Sequence, residues 1–405
     1  MTMISQSLVD APIIREERWQ APAVDANNVQ KTLQSLWLQI ADEKRELSGR
    51  PRPSMDSGVM RTRTINLIVI ADKPSDVDRI KATVSSLTEF FPSRTLILVR
   101  ERSRHTRGGL DVTVTVEEQH TSRFKSPIRF ETVTVSTGSG REEVLASVAA
   151  PILVPELPDF VWRPASASIG STVLDELTDL IDRLIVDTAG VADPTKAFNY
   201  LIELCRKSGD EVHLSDLAWT RITPWRQMTA QFFDHAANLP YLQLIDSVSI
   251  TYAGRHPDGR SGLSSGLLMA GWLCTRLGWR APGEELVRSR DGWKLTLRAG
   301  QRGRSREVIL TLRQANGIEA DACLGEIQLT ANGLKPATFT IERVSKDGVA
   351  TTSHTESAES NRTVYMRKLS EEELLSLELR DFGSDPLYPE ALKFAANLWP
   401  EGAEI

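Results

Sequence analysis

Apolar positions recur along this chain with either a helical or an alternating period, and the switches between the two outline its elements. Residues 1–27 are polar and are expected to be loosely ordered. Val29, Leu33, Leu36, Trp37 and Ile40 then recur at helical spacing and predict an amphipathic helix. SGRPRPSMDSG at 48–58 reads as a linker. TINLIVIAD, from Thr64, is an apolar run of strand length. Ser75 and Asp78 form a capping-box pair, and Val77, Ile80, Val84 and Leu87 mark a helix face. Phe91-Pro92 stops that helix, and TLILVR (95–100) is the next buried strand. Strand, helix and strand of this length read as a right-handed βαβ unit with parallel pairing. DVTVTVE (111–117) and RFETVTVS (129–136) alternate as half-buried strands do. A helix over 142–149 leads to PILVP, expected as a further short strand.

The period turns helical from 172 to 235. Thr172 and Asp175 can cap one helix, Asp193-Pro194 starts another that ends at Gly209, and Thr223-Pro224 opens a third. Trp225, Met228 and Phe232 share a face of the third. From 246 onward alternating segments return at even spacing: 247–254, 293–299, 307–314, 323–330, 337–344 and 363–369. They argue for an antiparallel sheet, with a helix at 264–277 against it and two helices in the tail broken at Gly383. The fold class expected is α/β plus α+β. A mixed-sheet domain containing the βαβ unit (59–245) follows an N-terminal extension (1–58) and precedes an antiparallel-sheet domain with C-terminal helices (246–405).

Composition narrows the class. The chain has 405 residues, too many for one compact core. Its net charge of −6 argues against general nucleic-acid binding, which needs a basic footprint. The start of the chain carries acids and no apolar stretch of signal type, and no apolar run is long enough for a bilayer. Cys205, Cys274 and Cys323 lie far apart and leave one unpaired in any disulfide scheme, which fits a reduced, cytoplasmic setting.

Candidate chemistry is thin. Gly262-Leu-Ser264-Ser-Gly266 matches the nucleophile-elbow spacing, but the polar loop RHPDGR separates it from the preceding strand, whereas the elbow needs a strand feeding straight into the turn. A tightly packed helix start explains it better. The turn after the strand at 65–70 reads ADKPSD and lacks the glycines that let backbone approach a pyrophosphate. TGSGR (137–141) is read as a plain turn rather than an anion nest. The six histidines are scattered, without metal-ligand spacing, so no metal or cofactor is expected.

Aromatic residues are conspicuous instead. LPDFVW (157–162), LAWTRITPWRQMTAQFFD (217–234) and LLMAGWLCTRLGW (267–279) hold five of the nine tryptophans. Most tryptophans in such runs are core, and any that reach the surface beside Arg are partner-binding candidates. The stretch 276–313 is locally basic, and Lys294, Thr296 and Arg298 alternate with Trp293, Leu295 and Leu297. This is either a solvated sheet face or a docking patch for an acidic partner. The candidate contacts are Trp162, Trp219, Trp225, Arg226 and Trp272, with Arg298 and Arg304 from the basic stretch.

Several segments, read in order, resemble the OpcA family of glucose-6-phosphate dehydrogenase assembly proteins. They are RTRTINLIVIAD (61–72), FPSRTLILV (91–99), LPDFVW, LIDRLIVDT (180–188), the two Trp-rich runs and the tail LRDFGSDPLYPEALKFAANL. Their order and spacing carry the resemblance, which is strong over 61–280. It implies a non-catalytic partner that promotes assembly of the dehydrogenase and activates it, raising NADPH output from the oxidative pentose phosphate pathway. Related chains tend to carry two tryptophans after the LPD element, whereas here Trp162 is followed by Arg163. Redox control is associated with photosynthetic members, and the tail of this chain has no cysteine to form a disulfide. The rival from another class is a sugar-phosphate-binding enzyme or metabolite sensor of α/β architecture, which would need a pocket with convergent polar groups.

Overall fold

The computed structural model describes residues 12–48 (44–48 as backbone only), 63–88, 90–100, 109–119, 127–138, 142–165, 169–209, 211–283, 285–300, 305–315, 317–318, 323–333, 335–356, 358–380 and 383–400. The chain forms two compact units. The first comprises residues 1–164, 170–185 and 211–213, and the second 165–169, 186–210 and 214–405. Helices and two mixed sheets make an α/β plus α+β arrangement.

The first sheet is built on β2 (Ile65–Ala71), whose seven residues are all buried. The helix α2 (Val77–Leu87) carries the chain to β3 (Ser93–Arg100), which pairs parallel to β2 as the βαβ pattern requires. β4 (Leu110–Gln119) and β5 (Ile128–Thr137) extend the sheet, β5 more deeply buried than its alternation suggests. Helix α3 (Glu143–Ile152) leads to β6 (Asp159–Arg163), which lies parallel to β2 on its other side. The full order is β1-β4-β5-β3-β2-β6-β7-β8, with β1 at Ile13–Ala21, β7 at Arg183–Val186 and β8 at His213–Asp216.

Three local expectations are corrected. Residues 13–21 are not loose: they form β1, paired antiparallel along its whole length with β4. No residue of β1 is fully buried; backbone pairing with β4 places it, helped by Glu16, which accepts from Thr115 Oγ1 (2.9 Å), and its Arg and Glu residues suit an edge strand. PILVP is no strand. Pro151 and Ile152 close α3, and the buried Asn66 side chain fixes the backbone of Val154, accepting from its N–H (3.0 Å) and donating to its carbonyl (2.9 Å). The capping box at Ser75 does not form: a short 3-10 turn over Pro74–Asp76 precedes α2, without a side-chain cap.

Helix α1 (Ala26–Ser48) packs Val29, Leu33, Leu36 and Ile40 inward. Trp37 donates through Nε1 to Glu131 on β5 (2.8 Å). Arg94 on β3 holds the other carboxylate oxygen with two bonds (3.1 and 2.8 Å), and Arg63 adds a second guanidinium. Burial would raise the Glu131 pKa, but the two guanidiniums outweigh it and lower the value. α4 (Thr172–Leu177) still belongs to the first unit, and its cap is Ser171, which accepts from Leu174 N, not Thr172.

In the second unit Asp193 caps α5 (Pro194–Lys207) as expected, and Gly209 follows it in the left-handed region (φ +63°). α6 (Leu217–Arg221) and α7 (Thr223–Gln231) follow β8. The second sheet runs β10-β11-β12-β9-β13-β14-β15-β16. Its strands are β9 (Ser247–Ala253), β10 (Val287–Ser289), β11 (Gly292–Ala299), β12 (Arg306–Ala315), β13 (Leu324–Ala331), β14 (Ala337–Ser345), β15 (Gly348–His354) and β16 (Glu359–Tyr365). It is mixed rather than purely antiparallel. β12 lies parallel to β9, because α8 (Leu263–Leu277) intervenes as a crossover. α9 (Glu371–Arg380) and α10 (Leu387–Ala395) complete the set of helices.

Replacing Glu131 by Gln leaves two guanidiniums with only partial compensation. The expected loss is about 3–5 kcal/mol at pH 7, read as a lower urea midpoint with unchanged slope. Because the folded pKa of Glu131 is lowered, its contribution is present above about pH 4.3 and is lost as pH falls through the folded value. The gap between wild type and Glu131→Gln therefore closes on acidification.

Candidate functional site

The first unit has the strand order that usually offers a ligand crevice. The chain proceeds from β2 to β3 on one side and returns to β6 on the other, so β2 and β6 border a topological switch point. Here that crevice is stapled. Arg163, at the end of β6 and 1% exposed, donates to both oxygens of Asp72 (2.9 Å each) and to Ile70 O (3.1 Å). Arg100, ending β3, also binds Asp72 and reaches Glu142 (3.0 Å). Burial would raise the Asp72 pKa, yet the two guanidiniums hold it below the usual value. A fixed carboxylate stands where a pyrophosphate would need backbone N–H groups.

The second unit concentrates its polar chemistry around α6. Asp216 caps this helix, accepting from Ala218 N (2.9 Å), Thr188 N (3.1 Å) and Thr188 Oγ1 (2.6 Å). Tyr388 on α10 donates to it at 3.3 Å. Beside it, Asp187 receives both terminal nitrogens of Arg221 at 2.7 Å each. Burial pushes Asp216 up to about 6, reinforced by the charge of Asp187 and opposed by the Thr188 and Ala218 hydrogen bonds. Asp187 goes the other way. Burial acts to raise it too, but the Arg221 guanidinium wins and lowers it. These groups are fully enclosed and hold α6 in place.

The outer side of α6 carries the accessible chemistry. Trp219 donates through Nε1 to Asp385 (2.7 Å), in the turn before α10, and packs its ring against Tyr388 with centroids 5.6 Å apart. The Arg226 guanidinium lies 3.6 Å from the centre of the Trp219 ring, bonds Thr223 Oγ1 (2.8 Å) and stands 3.9 Å from Asp385. Its Nε is buried without a hydrogen-bond partner. Burial lowers its pKa to about 10, partly offset by Asp385, so the side chain stays charged at neutral pH. Asp385 is 41% exposed and Arg226 11%. A cation on an aromatic face beside a half-exposed carboxylate can receive a complementary group of a partner.

Trp219 and Arg226 are thus brought into contact. The other nominated residues are elsewhere. Trp162 and Trp225 are core side chains at 0% and 1% exposure, and Trp219 itself is 4% exposed, so only its edge is available. Trp272 is half-buried on α8, and Arg298 is exposed on β11 opposite Glu307 of β12. Arg304 lies outside the described residues. The basic stretch is partly neutralised internally, by Arg276 with Glu390 and Lys294 with Asp291. Ser264 is 1% exposed and donates to Thr188 O (2.7 Å), the packed helix start that its context suggested. Among the described residues no three His, Cys, Asp or Glu side chains are grouped to hold a metal. Nor is any helix among them long and apolar enough to cross a membrane.

Sequence reasoning missed Asp385, Asp187 and Asp216 as a group. Asp216 preceding a Leu-Ala-Trp helix start was a capping signal, but nothing local pairs Asp187 with Arg221 across 34 positions.

Two family models cover most of the chain. Residues 65–203 match a model described as the glucose-6-phosphate dehydrogenase subunit N-terminal domain of OpcA, and residues 212–392 match its C-terminal domain. The chain belongs to the OpcA family. Curated OpcA relatives, named as putative OxPP cycle proteins, include that of Synechococcus elongatus, 27% identical over 150 residues. That alignment covers 37% of this chain and 32% of the relative. The OpcA of Synechocystis is 29% identical over 150 residues, covering 37% of this chain and 30% of its own length. The chain thus matches about a third of the length of these relatives. Among solved structures, a 3-ketoreductase from Actinomadura kijaniata with TDP-benzene and NADP covers 84% of this chain and 98% of its own. It is 14% identical with a TM-score of 0.48, too distant to inform the chemistry.

The Asp216 environment makes a pH prediction. Its folded pKa lies above that of an unfolded Asp, so the native state binds the extra proton and stability falls as pH rises from about 4 through 6. Asp216→Asn removes this dependence. Relative to wild type the variant is expected to gain up to ~3 kcal/mol between pH 4 and 7, measured as the difference in thermal midpoints across that range.

Proposed function

We propose that this OpcA-family chain is a non-catalytic assembly factor for glucose-6-phosphate dehydrogenase, promoting and activating its working oligomer in the oxidative pentose phosphate pathway. The observation that carries this reading is the match of residues 65–203 and 212–392 to domains described as a subunit of that enzyme. The chemistry of the site agrees. The strand-end crevice is closed by Arg163 and Asp72, and the buried acids around α6 are engaged in capping and ion pairing. The accessible groups that remain are suited to binding. Activation then requires that the chain bind the competent oligomer more tightly than the inactive form, since equal affinity shifts nothing.

Arg226 and Asp385 are the proposed contact, with Trp272 as a second candidate. Arg298 is weaker, because Glu307 faces it within the sheet. The test is to titrate purified chain into the cognate dehydrogenase and follow its rate, its KM for glucose 6-phosphate and the mass of the complex. A heavier complex with higher kcat/KM is expected, and no change in any of the three sinks the proposal. Arg226→Ala should weaken activation roughly tenfold or more, the scale of a hot-spot truncation, while circular dichroism stays that of wild type. Fluorescence titration with NADPH, in the absence of dehydrogenase, should show no binding. Saturable binding there would favour the enzyme or sensor reading instead.

A further inference from the structure

Three of the buried guanidiniums are each held by a carboxylate with two bonds. Arg94 binds Glu131, Arg163 binds Asp72 and Arg221 binds Asp187, all at distances between 2.7 and 3.1 Å. That is what a buried cation requires, since an ion taken out of water without a bonded counter-ion is costly. Arg226, at 11% exposure, departs from the pattern. Its neighbour Asp385 stands 3.9 Å from Nη1, within ion-pair range but too far to accept a hydrogen bond.

Asp385 is already engaged elsewhere. Its Oδ2 accepts from Trp219 Nε1 (2.7 Å), and its Oδ1 accepts from Leu387 N at the start of α10 (2.9 Å). Among the described residues, the Arg226 side chain makes one hydrogen bond, from Nη2 to the neutral Thr223 Oγ1 (2.8 Å). Its Nε is buried without a partner. The effect appears in a pKa that burial lowers to about 10 and Asp385 only partly restores. The Trp219 ring, 3.6 Å from the guanidinium, attracts the cation but offers no oxygen to its N–H groups.

We infer that the partner bound at this site supplies the missing carboxylate, an Asp or Glu side chain seated on the end of the Arg226 guanidinium. The inference rests on the assembly reading and names the chemistry that the dehydrogenase must present there. With Nε closed off and one Nη2 proton on Thr223, the end-on edge remains, Nη1 with the second Nη2 proton. Arg221 grips Asp187 by its two terminal nitrogens in the same way. The incoming acid and Asp385 then flank one guanidinium, the mirror image of Glu131 between Arg94 and Arg63. A neutral acceptor would leave the buried charge without a counter-ion, and a basic group would be repelled. The Trp219 ring already holds the cation in place, so little side-chain freedom is left to lose on binding. A charge-assisted fork in such a desolvated setting has the character of a hot spot.

The uncompensated charge separates this role from a structural one. Arg226→Met removes the charge and keeps an apolar chain over Trp219. In the purified chain alone, its thermal midpoint should equal or exceed that of wild type, whereas loss of a guanidinium needed for folding would lower it. Against the cognate dehydrogenase, Arg226→Met should bind roughly tenfold more weakly or worse, and added salt should weaken its binding less steeply than that of wild type. Arg226→Lys keeps the charge without the planar fork. It should bind with intermediate affinity and wild-type salt dependence. A Met variant that binds as tightly as wild type with the same salt dependence would overturn the inference and leave the assembly reading in place. So would one that loses affinity only in step with a lowered thermal midpoint. A wild-type chain that does not bind the dehydrogenase would overturn both.

Discussion

Arg221 cannot be buried without Asp187, and much of the second unit is arranged around that requirement. An isolated guanidinium inside a protein is prohibitively unstable, so the end of α6 must stand where the carboxylate following β7 can reach it with two hydrogen bonds. Asp216 sits beside the pair as the cap of the same helix, and its raised pKa reflects burial near a second carboxylate. With α6 pinned at both ends, Trp219 is directed outward to Asp385 and becomes the surface on which Arg226 rests. The proposed contact is therefore a consequence of the buried pair beneath it.

The first unit uses the same device for a different result. Glu131 gathers Trp37, Arg63 and Arg94, tying α1 to β3 and β5. Arg163 and Arg100 converge on Asp72 at the strand ends. In an open α/β sheet those strand ends commonly bind a cofactor. Here a second tryptophan would not have been able to satisfy Asp72 and the Ile70 carbonyl, and Arg163 does both. The departure from the double-Trp pattern thus has a structural role within the sheet.

Legibility from sequence tracked the range of the forces involved. The βαβ unit, the helix at Asp193-Pro194 and the outward set Lys294, Thr296 and Arg298 were readable because side-chain period and capping act over a few residues. β1 was not, since an edge strand held by backbone bonds needs no apolar pattern. PILVP was misread because an apolar run of five suits a helix end as well as a strand, and only its bonds to Asn66 decide. The parallel placement of β12 beside β9 likewise depends on where α8 crosses.

The sequence by itself determined the class of fold, most of the elements, the lack of a glycine-rich phosphate loop after the first βαβ strand and membership of the OpcA family. These rest on local periodicity and on the order of short motifs. Tertiary structure alone decided which tryptophans are core and which present an edge, since Trp162, Trp219 and Trp225 look alike in sequence and differ only in the groups that cover them. It also decided that Asp187, Asp216, Arg221 and Asp385 act around one helix. Electrostatic and packing partners are chosen by distance in space, and pairs such as Trp219 and Asp385, 166 positions apart, leave no trace in local pattern.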